Sequence, residues 1–248
     1  SRRWLDDVID AVAFVSGFGR EAVFLKQRAR QKGTQQYQKT GSEGEDFTVA
    51  ENGRRFWVNL GKYLDTGLFL DHRNTRARVG AEAEGKRFLN LFAYTGSFTV
   101  YAATGGAVSS ESVDLSNTYL EWAQRNFALN GIDAERHRTV RADVFQYLRD
   151  AQTQNKRFDL IVLDPPSFSN SKKMQDILDI QRDQTTLING AMALLAAGGK
   201  LYFSNNLRSF ELEPAVAERH AVAEISRQSV PEDFRNRKIH RCWTIKHR

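Results

Sequence analysis

Residues 158–168 read F-D-L-I-V-L-D-P-P-S-F, and this stretch decides the fold. Leu160, Ile161, Val162 and Leu163 are an unbroken apolar, branched run. Such a run suits a strand buried on both faces, as in a parallel sheet. Pro165 and Pro166 cannot donate ladder hydrogen bonds, so the strand stops there. Asp164 is thereby fixed at the carboxyl end of a buried strand, the edge of an open α/β sheet where ligands bind.

Working outward, strand and helix signals alternate. F-L-N-L-F (88–92) reads as a strand, and A-Y-T-G-S-F leads into a helix over 97–103. A-V-S-S-E-S-V (107–113) is a strand ending at Asp114, followed by a helix over 117–130 that Gly131 stops. R-H-R-T-V-R (136–141) is a strand ending before Asp143, followed by a helix over 144–151. After Phe168 the pattern predicts a helix over 180–196, a strand over 200–206, a helix over 213–227 and a last strand in I-H-R-C-W-T-I. Strands alternating with helices predict a mostly parallel, doubly wound sheet.

Upstream, Leu5, Val8, Ile9, Val12 and Val15 have helical spacing, and A-V-F-L (22–25) reads as a short strand. Lys26, Arg28, Arg30 and Lys32 then alternate along K-Q-R-A-R-Q-K-G, where they can follow a phosphate backbone or blunt an exposed edge. A polar loop spans 33–45. Asn52-Gly53 between two strand-like runs is a hairpin signal. We therefore expect a small α+β module over residues 1–60 and a main domain over 61–248. Y-L-D-T-G-L-F-L-D-H-R (63–73) is apolar but crossed by Asp65, Gly67, Asp71 and Arg73, which is odd for a core strand; a helix follows over 73–82.

The 248 residues can bury a full core with room for a small second module. No apolar run approaches the roughly 20 residues a membrane span needs. The start at Ser1-Arg2-Arg3, with neither initiator Met nor signal peptide, reads as a piece of a longer protein. The lone Cys242 excludes an internal disulfide and fits a reducing, cytoplasmic setting. A net charge of +6 favours a polyanionic partner such as nucleic acid.

Asp114, Asp143 and Asp164 sit at or just beyond strand ends and should converge on one rim. Each alone is equally readable as a helix cap or loop residue. The first βα turn has one glycine, Gly96, and neither G-x-G-x-x-G nor a P-loop occurs, so pyrophosphate binding is disfavoured. An acid after the second strand suits a ribose diol. A nucleoside without phosphates, ringed by carboxylates, points to the cationic S-adenosylmethionine. The five histidines show no ligand spacing, so no metal is expected.

In order, L-N-L-F-A-Y-T-G-S-F, V-D-L-S, A-D-V-F and D-P-P-S-F resemble the class I S-adenosylmethionine-dependent methyltransferases. With Y-L-D-T-G-L-F-L-D-H-R, F-S-N-S-K, F-S-N-N and the tail N-R-x-I-H-x-C-W, nearly the whole chain is similar to the RlmK half of the bifunctional RlmKL family, which acts on large-subunit ribosomal RNA. The resemblance implies a Rossmann-like seven-stranded sheet with an antiparallel last strand. It implies that Asn90, Phe92, Tyr94, Thr95 and Gly96 hold the methionine end and sugar, Asp114 the ribose, and that Asp143 and Val144 face the adenine. Asp71 and Arg73 would close over the cofactor, unless they simply pair with each other. Asp164, with Pro165, would lie beside the methyl group and the base. The implied partners are 23S rRNA or a pre-50S particle, with a fused N-terminal guanine-N2 methyltransferase half and no membrane.

Relatives with D-P-P-S-F-type motifs include cytosine-C5 methyltransferases, which need a thiolate nucleophile just after the fifth strand. Here that place reads Ser204-Asn205-Asn206, and Cys242 reads as a small core residue. N-P-P-Y, typical of exocyclic amine methylation, is absent as well. Guanine N7 is already nucleophilic, so the resemblance's implication of N7-methylguanine in 23S rRNA fits. Asp164 would orient the base, Asn205 and Asn206 would read its edge unless they only form a strand-end turn, and Phe168 would stack on it. The loop Ser167–Lys173, with Lys172 and Lys173, is a candidate substrate loop or a solvated linker. The alternatives are a cytosine-C5 methyltransferase and a non-catalytic RNA-binding module.

Overall fold

The computed structural model describes residues 2–26, 44–169 and 178–248. They form two compact units, Ser1–Phe47 with Val58–Thr66, and Thr48–Trp57 with Gly67–Arg248. The expected boundary at residue 60 placed the hairpin in the smaller unit, whereas most of it belongs to the larger one.

Among its described residues the smaller unit contains helix α1 (Arg2–Ser16) and a 3-10 turn at Arg20–Ala22. Arg20 pairs with Asp10 at 2.6 Å and Asp6 at 3.3 Å on its exposed surface. The strand expected at 22–25 does not form. Phe24 and Leu25 are half exposed, and these residues join no sheet ladder among the described residues. A strand without a partner leaves its backbone groups to water, and short apolar runs carry no periodicity to enforce one.

In the larger unit, β1 (Phe47–Glu51) and β2 (Arg54–Val58) form the expected hairpin. Its turn residues Asn52 and Gly53 have φ of 48° and 78°, the positive pair that a type I′ turn requires. The remaining elements are α2 (Arg73–Ala81), β3 (Arg87–Leu91), α3 (Ser97–Thr104), β4 (Ser109–Asp114), α4 (Asn117–Leu129), β5 (His137–Arg141), α5 (Val144–Thr153), β6 (Phe158–Leu163), β7 (Phe168–Ser169), β8 (Leu178–Asp179), α6 (Ile180–Leu194), β9 (Leu195–Asn205), α7 (Pro214–Arg219), β10 (Ala221–Glu224), α8 (Ser226–Ser229) and β11 (Arg241–Lys246). β2 does not leave its outer edge bare. The Asn126 side chain accepts from the Trp57 N–H, and that of Asn130 accepts from the Arg55 N–H, both at 2.9 Å.

The main sheet has seven strands in the order β10-β11-β9-β6-β3-β4-β5. Its centre is parallel, while β11 runs antiparallel to both β9 and β10. The opening stretch is the middle strand, and both its faces are covered. Ile161 and Leu163 join the core of α5 and α6, with Leu148, Ile188 and Phe203. Leu160 and Val162 join the other layer, with Val79, Phe98, Tyr202 and Cys242. This period-two split of one apolar run is what a parallel strand between two helical layers demands.

The helix expected over 213–227 is broken into α7, β10 and α8. Residues Ala221–Glu224 pair instead with Trp243–Lys246, completing the sheet edge beyond β11. Short A-V-A-E satisfies either period, and an available edge to pair with decides for strand.

Chain order doubles back between β3 and β6. From β3 the sheet grows through β4 to β5, then resumes on the opposite side with β6 and β9. That reversal is a topological switch point, and the crevice at its carboxyl ends is the ligand position of such sheets. Asp164 and the turn after β3 stand on its two sides.

Candidate active site

The turn after β3 is strained. Phe92 and Tyr94 have φ of 58° and 50°, and Gly96 has 70°. Each non-glycine residue in that region costs about 1–3 kcal/mol and persists only where its surroundings over-determine it. The restraint here is Asp114. Tyr94 N–H donates to Asp114 Oδ2 and Ser116 N–H to Oδ1, both at 2.9 Å. Burial pushes the Asp114 carboxyl above its ordinary range, and the backbone N–H groups only partly offset this. Ser116 takes the α4 cap, its hydroxyl accepting from Tyr119 N–H. Asp114 is therefore not spent on capping, and a carboxylate's roughly four acceptor positions leave capacity for hydroxyl donors. Gly96 has no room for a side chain, because a Cβ would stand 2.8 Å from the Phe127 ring and 2.9 Å from Ala123.

Gly67, from the odd segment, is fastened to this turn. Gly67 N–H donates to the Tyr94 hydroxyl at 3.0 Å, and the Thr95 hydroxyl donates to the Gly67 carbonyl at 2.7 Å. Gly67 has φ of 104°, and a Cβ there would lie 2.3 Å from the Trp122 ring. Gly67→Ala combines a forbidden φ with a clash against a ring that cannot swing away. We expect it to lower stability by at least about 2 kcal/mol, which thermal unfolding checks.

Asp164 follows β6. The Ser204 hydroxyl donates to its Oδ1 at 2.7 Å, and His72 Nε2 lies 3.5 Å from its Oδ2. Ser204 comes from β9, directly across from Cys242 on β11. Asp71 sits close by, hydrogen-bonded from His240 Nδ1 at 2.8 Å. Burial opposes ionisation of Asp71, but the hydrogen bond from His240 holds its pKa below the usual range. The His72 and His240 rings stack with centroids 4.2 Å apart and planes 6° apart.

Asp71, His72 and His240 bring possible ligand atoms within 4.8 Å of one another, a grouping that the sequence spacing hides. The stacking argues against a metal cradle. A metal bound through an imidazole lone pair lies in the ring plane, and two parallel planes roughly 4 Å apart share no such point.

The other expected site residues are distributed unevenly. Thr95 is buried in its bond to Gly67, and Asn90 is buried with its amide donating to Thr99 at 3.0 Å. Asp143 caps α5, accepting from Gln146 N–H at 3.1 Å, and Val144 is buried in the core beside α6. Asp71 and Arg73 do not pair with each other; Arg73 reaches Asp233 at 2.5 Å. Pro165 is buried behind Asp164. Asn205 is buried, its Oδ1 accepting from Leu207 N–H at 3.1 Å and its Nδ2 lacking a partner among the described residues. That arrangement is a strand-end turn rather than an exposed reading edge. Asn206 is exposed and accepts from the Ser167 hydroxyl at 2.6 Å, and Phe168 is 49% exposed. Lys26 donates to the carbonyls of Tyr63 and Leu64. Arg28, Arg30, Lys172 and Lys173 lie outside the described residues. Cys242 is fully buried, and burial together with the nearby Asp164 charge pushes its thiol far up. Sequence reasoning missed His72, His240 and the Ser204–Asp164 bond, whose two partners meet through β6–β9 pairing.

The donor set suits a nucleoside cation. It offers a partly free acid after the second strand, further carboxylates at the same rim, and no phosphate cradle. A family model described as S-adenosylmethionine-dependent methyltransferase matches residues 1–238. The ribosomal RNA large subunit methyltransferase K of Neisseria meningitidis serogroup B is 72% identical over 245 residues, 99% of this chain and 69% of that protein. The ribosomal RNA large subunit methyltransferase K/L of Hahella chejuensis is 53% identical over 248 residues, so the chain spans 34% of that longer relative. Among solved structures, SMU.776, described as a methyltransferase and complexed with SAH, aligns with TM-score 0.80 and 27% identity over 99% of this chain and 66% of that one. Family model, relatives and fold agree, and the chain belongs to the S-adenosylmethionine-dependent methyltransferases.

Proposed function

We propose that the chain methylates the N7 of a guanine in large-subunit ribosomal RNA. The observation that carries the reading is Ser204. It stands where cytosine-C5 relatives would need a thiol, and its hydroxyl is committed to Asp164 at 2.7 Å. The lone cysteine is buried, with its thiol held protonated. Covalent attack on a pyrimidine therefore has no nucleophile. Guanine N7 carries a lone pair and no proton, so its methylation needs neither nucleophile nor base. Bound S-adenosylmethionine supplies an electrophilic methyl group, and the chain's residues position and stabilise.

In this reading Asp114 holds the ribose diol, with the strained turn at Phe92–Gly96 around the sugar and amino-acid end. Asp164, oriented by Ser204, faces the base and offsets its developing positive charge. Phe168 offers an exposed face for stacking. The net charge of +6 favours a polyanionic substrate, and the names of the K and K/L relatives support large-subunit rRNA. A fused N-terminal guanine-N2 half belongs to this reading by the K/L resemblance; the chain spans 34% of the K/L relative and 69% of the K relative. Among the described residues no helix is long and apolar enough to cross a membrane. Work on pre-50S particles would place the protein in the cytoplasm.

The test incubates the protein with unmodified 23S rRNA and isotope-labelled S-adenosylmethionine, then digests to nucleosides. The expected labelled product is 7-methylguanosine. Label in N2-methylguanosine or 5-methylcytosine overturns the assignment.

A further inference from the structure

His72 is a buried polar group that the fold does not satisfy. Its side chain is 8% exposed, and Nδ1 has no hydrogen-bond partner among the described residues. Natural folds rarely keep such a group, because an apolar side chain of the same shape avoids the desolvation penalty. The position is otherwise well suited to an aromatic ring. His72 stacks on His240 on one side and meets Phe98 edge-on at 5.6 Å on another. What the imidazole adds over a phenyl ring is its Nε2, and this atom points toward Asp164 Oδ2 at 3.5 Å, with Asp71 Oδ2 at 3.9 Å.

The protonation pattern follows from the neighbours. Burial lowers the His72 pKa, and the charges of His240 and Arg76 act the same way against the opposing pull of Asp164 and Asp71, so the ring is neutral. Of the two neutral tautomers, the one with hydrogen on Nε2 presents a donor to the carboxylates. The other would press a lone pair against them and leave a buried N–H unpaired on the far side. His240 is held from both ends, by Asp71 at Nδ1 and by the Ser229 hydroxyl at Nε2, 2.8 Å each. It serves as a fixed plate that sets the plane of His72.

We propose that His72 is a positioning residue for the methyl transfer, its Nε2–H facing Asp164 Oδ2 at 3.5 Å, a looser polar contact than the hydrogen bond that Ser204 gives Oδ1. Asp164 is thus held from β9 at Oδ1 and steered electrostatically at Oδ2 by the imidazole that precedes α2. The orphaned Nδ1 is the cost of placing a donor there. This inference rests on the role of Asp164 proposed above.

The test compares initial rates on 23S rRNA for the wild type, His72→Phe, His72→Gln, Asp164→Asn and the double variant His72→Phe/Asp164→Asn. Phe keeps the ring stack and removes both nitrogens, while Gln returns a donor near Nε2. Asp164→Asn and His72→Phe are each expected to lower kcat roughly tenfold, the scale of losing one polar contact to a charged group. The double variant should be no slower than Asp164→Asn alone, since residues acting through one another are not additive. His72→Gln should recover most of the rate. The melting temperature of His72→Phe should hold or rise, and its affinity for S-adenosylmethionine by calorimetry should stay within about twofold, because no cofactor contact is assigned to His72. If Asp164→Asn runs at the wild-type rate, the reading of Asp164 fails and takes this inference with it. If Asp164→Asn is slow but His72→Phe is not, or if the two losses multiply, the positioning role alone is overturned. A His72→Gln as slow as His72→Phe, or a His72→Phe that melts early and binds no cofactor, also overturns it in favour of a packing role.

Discussion

Replacing Arg76 with Met is expected to lower unfolding stability by about 3–5 kcal/mol, the cost of stripping one partner from a buried ion pair. Arg76 is fully buried in α2. Its Nε and Nη2 donate to the two oxygens of Glu51, each at 2.8 Å, and its Nη1 donates to the Phe69 carbonyl at 2.8 Å. The Tyr101 hydroxyl adds a bond to Glu51 Oε1 at 2.9 Å, and burial beside that carboxylate pushes its pKa up to about 12. Met preserves most of the volume, so the loss is not a cavity effect. It comes from a Glu51 carboxylate left 8% exposed with only Tyr101 to answer it. The double variant Arg76→Met/Glu51→Met should recover most of the loss, since well-packed apolar replacements of buried pairs are often close to neutral. Urea denaturation of the three proteins measures both differences. A single-variant loss below about 1 kcal/mol would place the pair among solvated bridges. The pair also anchors β1 to α2, which begins directly after Asp71 and His72.

Much of this architecture is legible in the sequence because it is local. D-L-I-V-L followed by two prolines dictates a buried strand and its end. Asn52-Gly53 dictates a positive-φ turn, which the φ values of 48° and 78° bear out. The acids after β4, β5 and β6 follow from strand boundaries alone. What stays hidden depends on partners far along the chain. A-V-A-E at 221–224 becomes a strand only because β11 offers an edge, and A-V-F-L at 22–25 meets no such edge among the described residues. Arg76 reads as one more helical cation until Glu51 is placed beside it. The Asp71–His240 bond joins residues 169 positions apart, and no spacing rule reaches that far. Asp143 shows the converse limit. It caps α5 and stands at a strand end, and the two roles share one sequence signal.

Removing the Asp114 carboxylate with Asp114→Ala is expected to weaken S-adenosylmethionine binding about 100-fold or more. Hydrogen bonds to charged groups contribute about 1.5–3 kcal/mol each, and the proposed ribose contact uses two hydroxyl donors. The same change frees the Tyr94 and Ser116 N–H groups, both held at 2.9 Å, so the strained turn also loses its brace. Stability should nevertheless move little. Burial raises the folded-state pKa of Asp114 above the ordinary 3.8, so its ionised form is disfavoured in the fold relative to the unfolded chain. At neutral pH the carboxylate therefore costs stability, and deleting it offsets part of the loss from the orphaned N–H groups. The sign of that shift also predicts a pH effect. Cofactor affinity should begin to fall on acidification at a higher pH than an ordinary aspartate would give, because the acceptor is lost on protonation. Calorimetric titration across pH, paired with denaturation of the same variant, separates the two roles. A large loss of affinity at nearly constant stability identifies a ligand-binding carboxylate. Unchanged affinity with a lowered melting temperature would reduce Asp114 to a brace for the Phe92–Gly96 turn.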